Sequence, residues 1–379
     1  MFGRRITLFK LFGFEVKIDI SWLILAVLVT FTLAQGFFPY YYRGLSLAAY
    51  WWMGIFGALG LFASIIFHEF WHSIIARKYG LPMKGITLFI FGGVAEMDDE
   101  PPNAKTEFLM SIAGPLSSVF LGFLFFGIKL LIPADGILVP IRAVISYLSY
   151  INLILAAFNM LPAFPLDGGR VLRSVLWKLK NNIRWATNIA SWTGSAFGVT
   201  LMVLGILSIF HGNFIGGIWF FIIGMFLRST AQMSYQQVLL RNILHGKKVR
   251  HFTKSNPVSV PPSLSIEQFV EDYFYKYHYK MFPVVENGDL IGCIDINQVK
   301  NVPRNEWGLQ LIKEHIGICR PDNTIDPSAD ALKALSRMRQ TGNNRLIVIE
   351  NGKLVGIITL KDILNYFSAR MDLDEYDIG

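Results

Sequence analysis

Charge and cysteine are both scarce in this chain. Only 16% of its 379 residues are Asp, Glu, Lys or Arg, while 53% are hydrophobic, and the mean hydropathy is +0.43. Those values exclude an ordinary soluble protein and fit a multi-span membrane protein. The two cysteines, Cys293 and Cys319, exclude a disulfide framework and give no zinc-ribbon spacing, which suits a reducing cytosolic face. The first apolar run lacks a small-residue cleavage site, so it reads as a retained span and not a removable signal peptide. The formal charge of +8 suggests nucleic acid at first sight. No nucleic-acid partner is expected, because Lys and Arg collected in cytosolic loops account for the excess.

Apolar stretches begin at Ser21, Ser46, Phe108, Ile141, Ala186 and Phe214. A bilayer core needs about 20 apolar residues per helix. The sixth stretch is short and the fourth contains Pro162, yet about six spans is the simplest count. Arg4, Arg5, Lys10 and Lys17 precede the first span. Arg77, Lys78, Lys84 and Lys105 follow the second, and Arg170, Arg173, Lys178, Lys180 and Arg184 follow the fourth. The opposite loops hold only Arg43 and Arg142. This bias predicts a multi-pass protein of the cell membrane, embedded in its lipid bilayer, with both termini cytosolic.

After Gln232 the composition turns polar. Residues 1–232 are expected to form the membrane domain, 233–249 a linker, 250–369 a soluble domain and 370–379 an acidic tail. The soluble part repeats itself. "MFPVVENGDLIGCIDINQV" and "RLIVIENGKLVGIITLKDIL" each read as strand, turn, strand and short helix, and each follows an amphipathic helix. Neither copy has much core alone, so the two are expected to pack together. The fold class is therefore a polytopic α-helical membrane protein with a soluble α/β domain.

Within the second span stands "HEFWH". On a helix His68 and His72 are one turn apart on one face, so both imidazoles can grip one zinc ion. Glu69 lies beside them, placed to take a proton from a water and not to ligate. Ionisable groups inside a bilayer are costly, at about 2–3 kcal/mol each or more, and are usually functional. The second constellation is "FNMLPAFPLDGGR". Pro162 and Pro165 break the helix, and Gly168 and Gly169 let the backbone turn. An Asp beside such a break, Asp167, suits a third zinc ligand. Irregular backbone at membrane depth is tolerated where it is buried or faces a cavity.

Together these motifs resemble the site-2 protease family of intramembrane zinc metalloproteases. The pattern is H-E-x-x-H followed by N-x-x-P…P-L-D-G-G, with the prolines here one residue further apart than in the short form. The resemblance covers Phe2 to about Gln232. It implies one zinc per chain on His68, His72 and Asp167, with Glu69 as general base and Asn159 orienting the substrate backbone or the oxyanion. It also implies a zinc metalloendopeptidase acting on a transmembrane or membrane-associated protein. "KGITLFIFGGVAEM" (84–97) is β-prone and too short to span, and reads as a strand or hairpin near the site. "SIAGPLSS", with Gly114 and Pro115, matches a family segment whose small residues allow close helix packing.

The repeat resembles a tandem cystathionine-β-synthase (CBS) domain pair. That resemblance implies a regulator, ATP, ADP or AMP, with Thr359 toward phosphate and Asp362 toward the ribose hydroxyls. Arg345 is a further candidate phosphate contact. In the first copy Asp295 and Gln298 stand at the positions of Thr359 and Asp362, and an acid facing phosphate is unfavourable. A homodimer through the CBS pair is also expected. His211, His245, His251, His278 and His315 read as surface or ordinary domain residues. A CBS-regulated transporter and an inactive membrane scaffold are the competing classes. The first requires polar residues along several spans, and the intact Glu69 argues against the second.

Overall fold

The computed structural model describes residues 5–11, 13–81, 83–89, 92–97, 101–279, 281–317 and 322–375. Cys319 and the last four residues of the expected acidic tail lie outside them. The chain forms two compact units, Met1–Val238 and Leu239–Gly379.

Unit 1 begins with a hairpin, β1 (Arg5–Leu11) and β2 (Phe14–Asp19). Asp19 then caps α1 (Ile20–Thr32), accepting from the Ser21 N–H at 3.0 Å. A π turn over Leu33–Phe37 leads into α2 (Phe38–Tyr41). α3 (Leu47–Lys78) is capped by Ser46 and ends on Arg77 and Lys78, whose charges complement the negative end of the helix. β3 (Met83–Phe89) and β4 (Gly92–Met97) form the expected hairpin, with its turn outside the described residues. The sheet order is β1-β2-β3-β4, and β2 and β3 run parallel. The helices α4 (Ala104–Leu131), α5 (Val139–Asn159), α6 (Asp167–Lys180), α7 (Ile183–Phe210) and α8 (Phe214–Leu244) follow.

Six helical stretches are long and apolar enough to cross a membrane: Ile20–Tyr41, Leu47–Lys78, Ala104–Leu131, Gly136–Asn159, Ile183–Phe210 and Phe214–Leu244. The fourth stops at Asn159, before Pro162, where a residue without an N–H cannot continue the hydrogen-bond ladder. The sixth is longer than its apolar core because its polar second half stays helical. The segment 233–249, expected as a linker, is helical as far as Leu244. Its Leu240, Leu244 and Val249 lie in a core of unit 2.

Within unit 1, Leu33, Phe38, Met53, Phe62 and Tyr147 build one core among the π turn, α2, α3 and α5. α7 and α8 meet through glycine. A β-carbon on Gly198 would lie 2.6 Å from the Gly224 carbonyl oxygen, and one on Gly224 would lie 2.4 Å from that of Gly198. Gly205 and Gly217 stand in the same reciprocal relation, at 2.6 and 2.5 Å.

Unit 2 contains β5 (Lys254–Ser255), α9 (Ile266–Phe269), α10 (Tyr275–Tyr277), β6 (Met281–Glu286), β7 (Asp289–Asp295) and α11 (Ile296–Lys300). The second repeat supplies β8 (Thr324–Ile325), α12 (Ala331–Thr341), β9 (Arg345–Glu350), β10 (Lys353–Thr359) and α13 (Leu360–Glu375). Both "ENG" turns carry positive φ at Asn and Gly, 51° and 91° in the first copy and 52° and 81° in the second. That conformation matches the twist of tight hairpins. The hairpins join in one sheet of order β6-β7-β10-β9-β8, with β5 on β10. Each repeat keeps its own core, one around Phe269, Phe282 and Ile294 and the other around Leu335, Leu346 and Ile358.

Candidate functional site

His68 and His72 lie four residues apart on α3, so their rings face the same way. Both are buried, and their Nε2 atoms are 3.1 Å apart. Asp167, the first residue of α6, places Oδ2 3.0 Å from His68 Nε2 and 3.2 Å from His72 Nε2. Tetrahedral zinc with bonds of 2.0–2.1 Å needs about 3.3 Å between ligand atoms, close to this triangle. Among the described residues this is the only group of three or more His, Cys, Asp or Glu side chains so arranged.

The far sides of both rings are occupied. His72 Nδ1 donates to the Met110 carbonyl at 2.6 Å, and His68 Nδ1 pairs with Ser118 Oγ at 2.9 Å. With its proton on Nδ1, a neutral His72 turns a bare lone pair inward at Nε2. Two ring nitrogens and a carboxylate oxygen then face one another, a donor set complementary to a cation. Gly114 of α4 leaves the space open. A β-carbon there would fall 2.2 Å from His72 Nε2 and 2.5 Å from His68 Nε2, close to metal-bonding distance from both. The residues fit zinc.

Asp167 reaches this place because the chain turns sharply between α5 and α6. Gly168 and Gly169 pack on that turn, where β-carbons would lie 2.3 Å from the Met160 carbonyl oxygen and 2.5 Å from the Phe164 nitrogen. The expectation of an Asp at the end of a span becomes an Asp at the start of a separate amphipathic helix, where the helix dipole favours a carboxylate. Glu69 is half-buried, and its carboxylate has no protein hydrogen bond among the described residues. Asn159 is the last residue of α5, half-buried, and no hydrogen bond ties it to the triad. Sequence reasoning missed Met110, Gly114 and Ser118. The available signal was "SIAGPLSS", read there as helix packing alone.

In unit 2, Thr359 Oγ1 donates to Asp362 Oδ2 at 2.6 Å, and the Asp362 N–H returns to Thr359 Oγ1 at 3.2 Å. The exposed Lys254 ammonium sits 2.7 Å from Asp362 Oδ1. Burial alone would raise the Asp362 carboxyl, but Lys254 and Thr359 outweigh it and hold the group below its ordinary range. The pairing therefore stays intact from neutral pH down to the ordinary carboxylate range and is lost only as pH falls through that lower value. Arg345 lies over the Tyr279 ring, 5.4 Å from its centroid. In the first copy the Asp295 carboxylate accepts from the N–H groups of Asn297 and Gln298 and caps α11.

Residues 56–138 and 134–205 match Peptidase family M50, and residues 249–303 and 313–369 match the CBS domain. A zinc metalloprotease of Methanocaldococcus jannaschii is 33% identical over 367 residues, covering 96% of this chain and 96% of its own length. A Synechocystis protein provisionally named a zinc metalloprotease is 31% identical over 362 residues, covering 94% and 93%. Among solved structures, a site-2 protease from Methanocaldococcus jannaschii aligns at 28% identity with a TM-score of 0.43, over 61% of this chain and 94% of that one.

Proposed function

This chain belongs to peptidase family M50, the zinc metalloproteases of the site-2 protease kind, and carries a tandem CBS pair; on that premise we propose that His68, His72 and Asp167 hold its zinc and that Glu69 is the general base. The observation that carries this reading is the convergence of three donor atoms within 3.0–3.2 Å. When bound, zinc supplies a Lewis acid that polarises the scissile carbonyl and brings the pKa of a water toward about 7. Glu69, whose carboxylate has no hydrogen bond among the described residues, takes the proton of the attacking water and delivers it to the leaving amide nitrogen as the C–N bond breaks. Asn159 orients the substrate backbone or the developing oxyanion.

The substrate is a transmembrane or membrane-associated protein. Its unwound segment pairs with β4, an edge strand of the sheet β1-β2-β3-β4, because a strand edge offers main-chain hydrogen bonds to extended peptide. The basic bias places both termini in the cytosol. His72 precedes Lys78, the end of α3, by six residues, so the site lies roughly 9 Å below the cytosolic end of that helix. Residues 1–232 form the protease and 250–369 the regulatory pair. An adenine nucleotide held by Thr359 and Asp362 changes the cleavage rate through its differential affinity for two arrangements of the repeats.

Metal analysis of the purified full-length protein tests the reading. About one zinc per chain is expected, and His72→Ala should abolish both metal and cleavage. A wild-type protein that cleaves a membrane substrate without zinc overturns it.

A further inference from the structure

Glu107 and Arg173 are both charged and both withdrawn from solvent, with exposures of 0% and 4%. Arg173 Nε donates to Glu107 Oε1 at 2.7 Å, and its Nη2 donates to the same oxygen. The guanidinium also lies over the Phe164 ring, 5.2 Å from its centroid. As mere glue such a pair is inefficient. Desolvation consumes much of the Coulomb gain, and apolar side chains of similar volume hold two helices as well or better. What a guanidinium fork adds is direction, since it engages a carboxylate only at a defined angle and register.

That direction matters because of what else α4 carries. Glu107, Met110, Gly114 and Ser118 stand at spacings of three, seven and eleven residues, which places them along one stripe of the helix. Met110 holds His72, Ser118 holds His68 and Gly114 keeps the space between the rings open. Glu107 reaches α6, the helix that begins with Asp167. The Asp167 carboxylate itself has no hydrogen-bond partner but the two histidines among the described residues. Its position is therefore set by where α6 lies. Among the described residues, the Glu107–Arg173 pair is the only side-chain hydrogen-bond link between α6 and α4.

We propose that Glu107 and Arg173 are positioning residues for the third metal ligand: by fixing α6 on the stripe of α4 that also holds both histidines, they keep Asp167 opposite the two imidazoles. The proposal rests on the reading of His68, His72 and Asp167 as zinc ligands.

The test uses full-length protein in detergent, zinc titration, and the visible spectrum of cobalt(II) as a reporter of coordination. The double variant Glu107→Leu/Arg173→Met replaces the pair by apolar groups of similar size. It is expected to keep the wild-type circular dichroism and elution volume, to bind zinc about 10–100-fold more weakly, the size of effect that follows loss of groups that orient metal ligands, and to give an altered cobalt spectrum. Arg173→Lys, which keeps the charge but loses the fork, should weaken zinc in the same direction by a smaller factor. If the double variant fails to fold, Arg173→Lys decides alone. Wild-type zinc affinity and an unchanged cobalt spectrum in the folded double variant, or in Arg173→Lys, overturn the proposal. Absence of zinc and cobalt binding in the wild-type protein instead overturns the reading of the triad.

Discussion

Asp167 and Asp362 are both aspartates at or near the start of a helix, one in each unit, but their partners differ in kind. The Asp167 oxygen faces two imidazole nitrogens, and the His72 nitrogen is an acceptor whenever its ring is neutral. With both rings neutral nothing in that cluster offsets the carboxylate's charge, a donor set that suits a cation. Asp362 has its own cation, Lys254, and its own hydroxyl, Thr359. A ribose that approaches Asp362 has to displace partners the protein already supplies. On the proposed reading the first cluster suits a resident ion, and the second a ligand that comes and goes.

The largest effect that sharpens this contrast is expected from Gly114→Ala. Its new carbon would lie within 2.5 Å of both Nε2 atoms, so one ring must turn away. Zinc per chain should fall far below one and cleavage should disappear, while an alanine in a helix is otherwise favourable to the fold. Metal content near one per chain in this variant would mean that the ion does not sit between the rings and α4.

Glu69→Gln comes next. Zinc should remain at the wild-type level, while cleavage followed on gels drops by about 10²–10⁴, the usual contribution of a general base. Wild-type cleavage by this variant would remove Glu69 from the mechanism.

The smallest effect belongs to Asp362→Ala. Losing hydrogen bonds to a charged group costs about 1.5–3 kcal/mol, and the ion pair with the exposed Lys254 that the nucleotide no longer has to break returns about 0–1 kcal/mol. The net, about 1–2 kcal/mol, is a 5–30-fold weaker affinity for adenine nucleotide by calorimetry, with zinc content unchanged. A loss beyond 100-fold would show that Lys254 does not compete, and no change would remove the ribose contact.

Much of this was legible from the sequence because it is local. A four-residue spacing puts two histidines on one helix face, and two "ENG" turns between alternating strands announce two hairpins. The apolar runs gave the six spans. Legibility failed where a residue's role depends on what lies across from it. Gly114 reads as packing until the imidazoles are seen on the other side. Glu107 and Arg173 are separated by 66 residues, and nothing local in the sequence pairs them. The β1–β2 hairpin is hard to read because Arg5, Lys10 and Lys17 carry the same charge that marks a cytosolic end. The helix α6 was hidden because its charges mark a cytosolic loop, and an amphipathic helix has the same composition.

The glycines between α7 and α8 act like the teeth of two combs. Gly198 meets Gly224 and Gly205 meets Gly217, each pair reciprocal, around the turn near His211. At all four contacts a hydrogen, not a side chain, lies against a carbonyl oxygen, and those close contacts suit only this alignment. Sliding one helix along the other by a single residue would set a bulkier group where a hydrogen now fits. The hairpin is therefore stiff to shear, and any sliding of α7 within the bilayer carries the bilayer part of α8 with it.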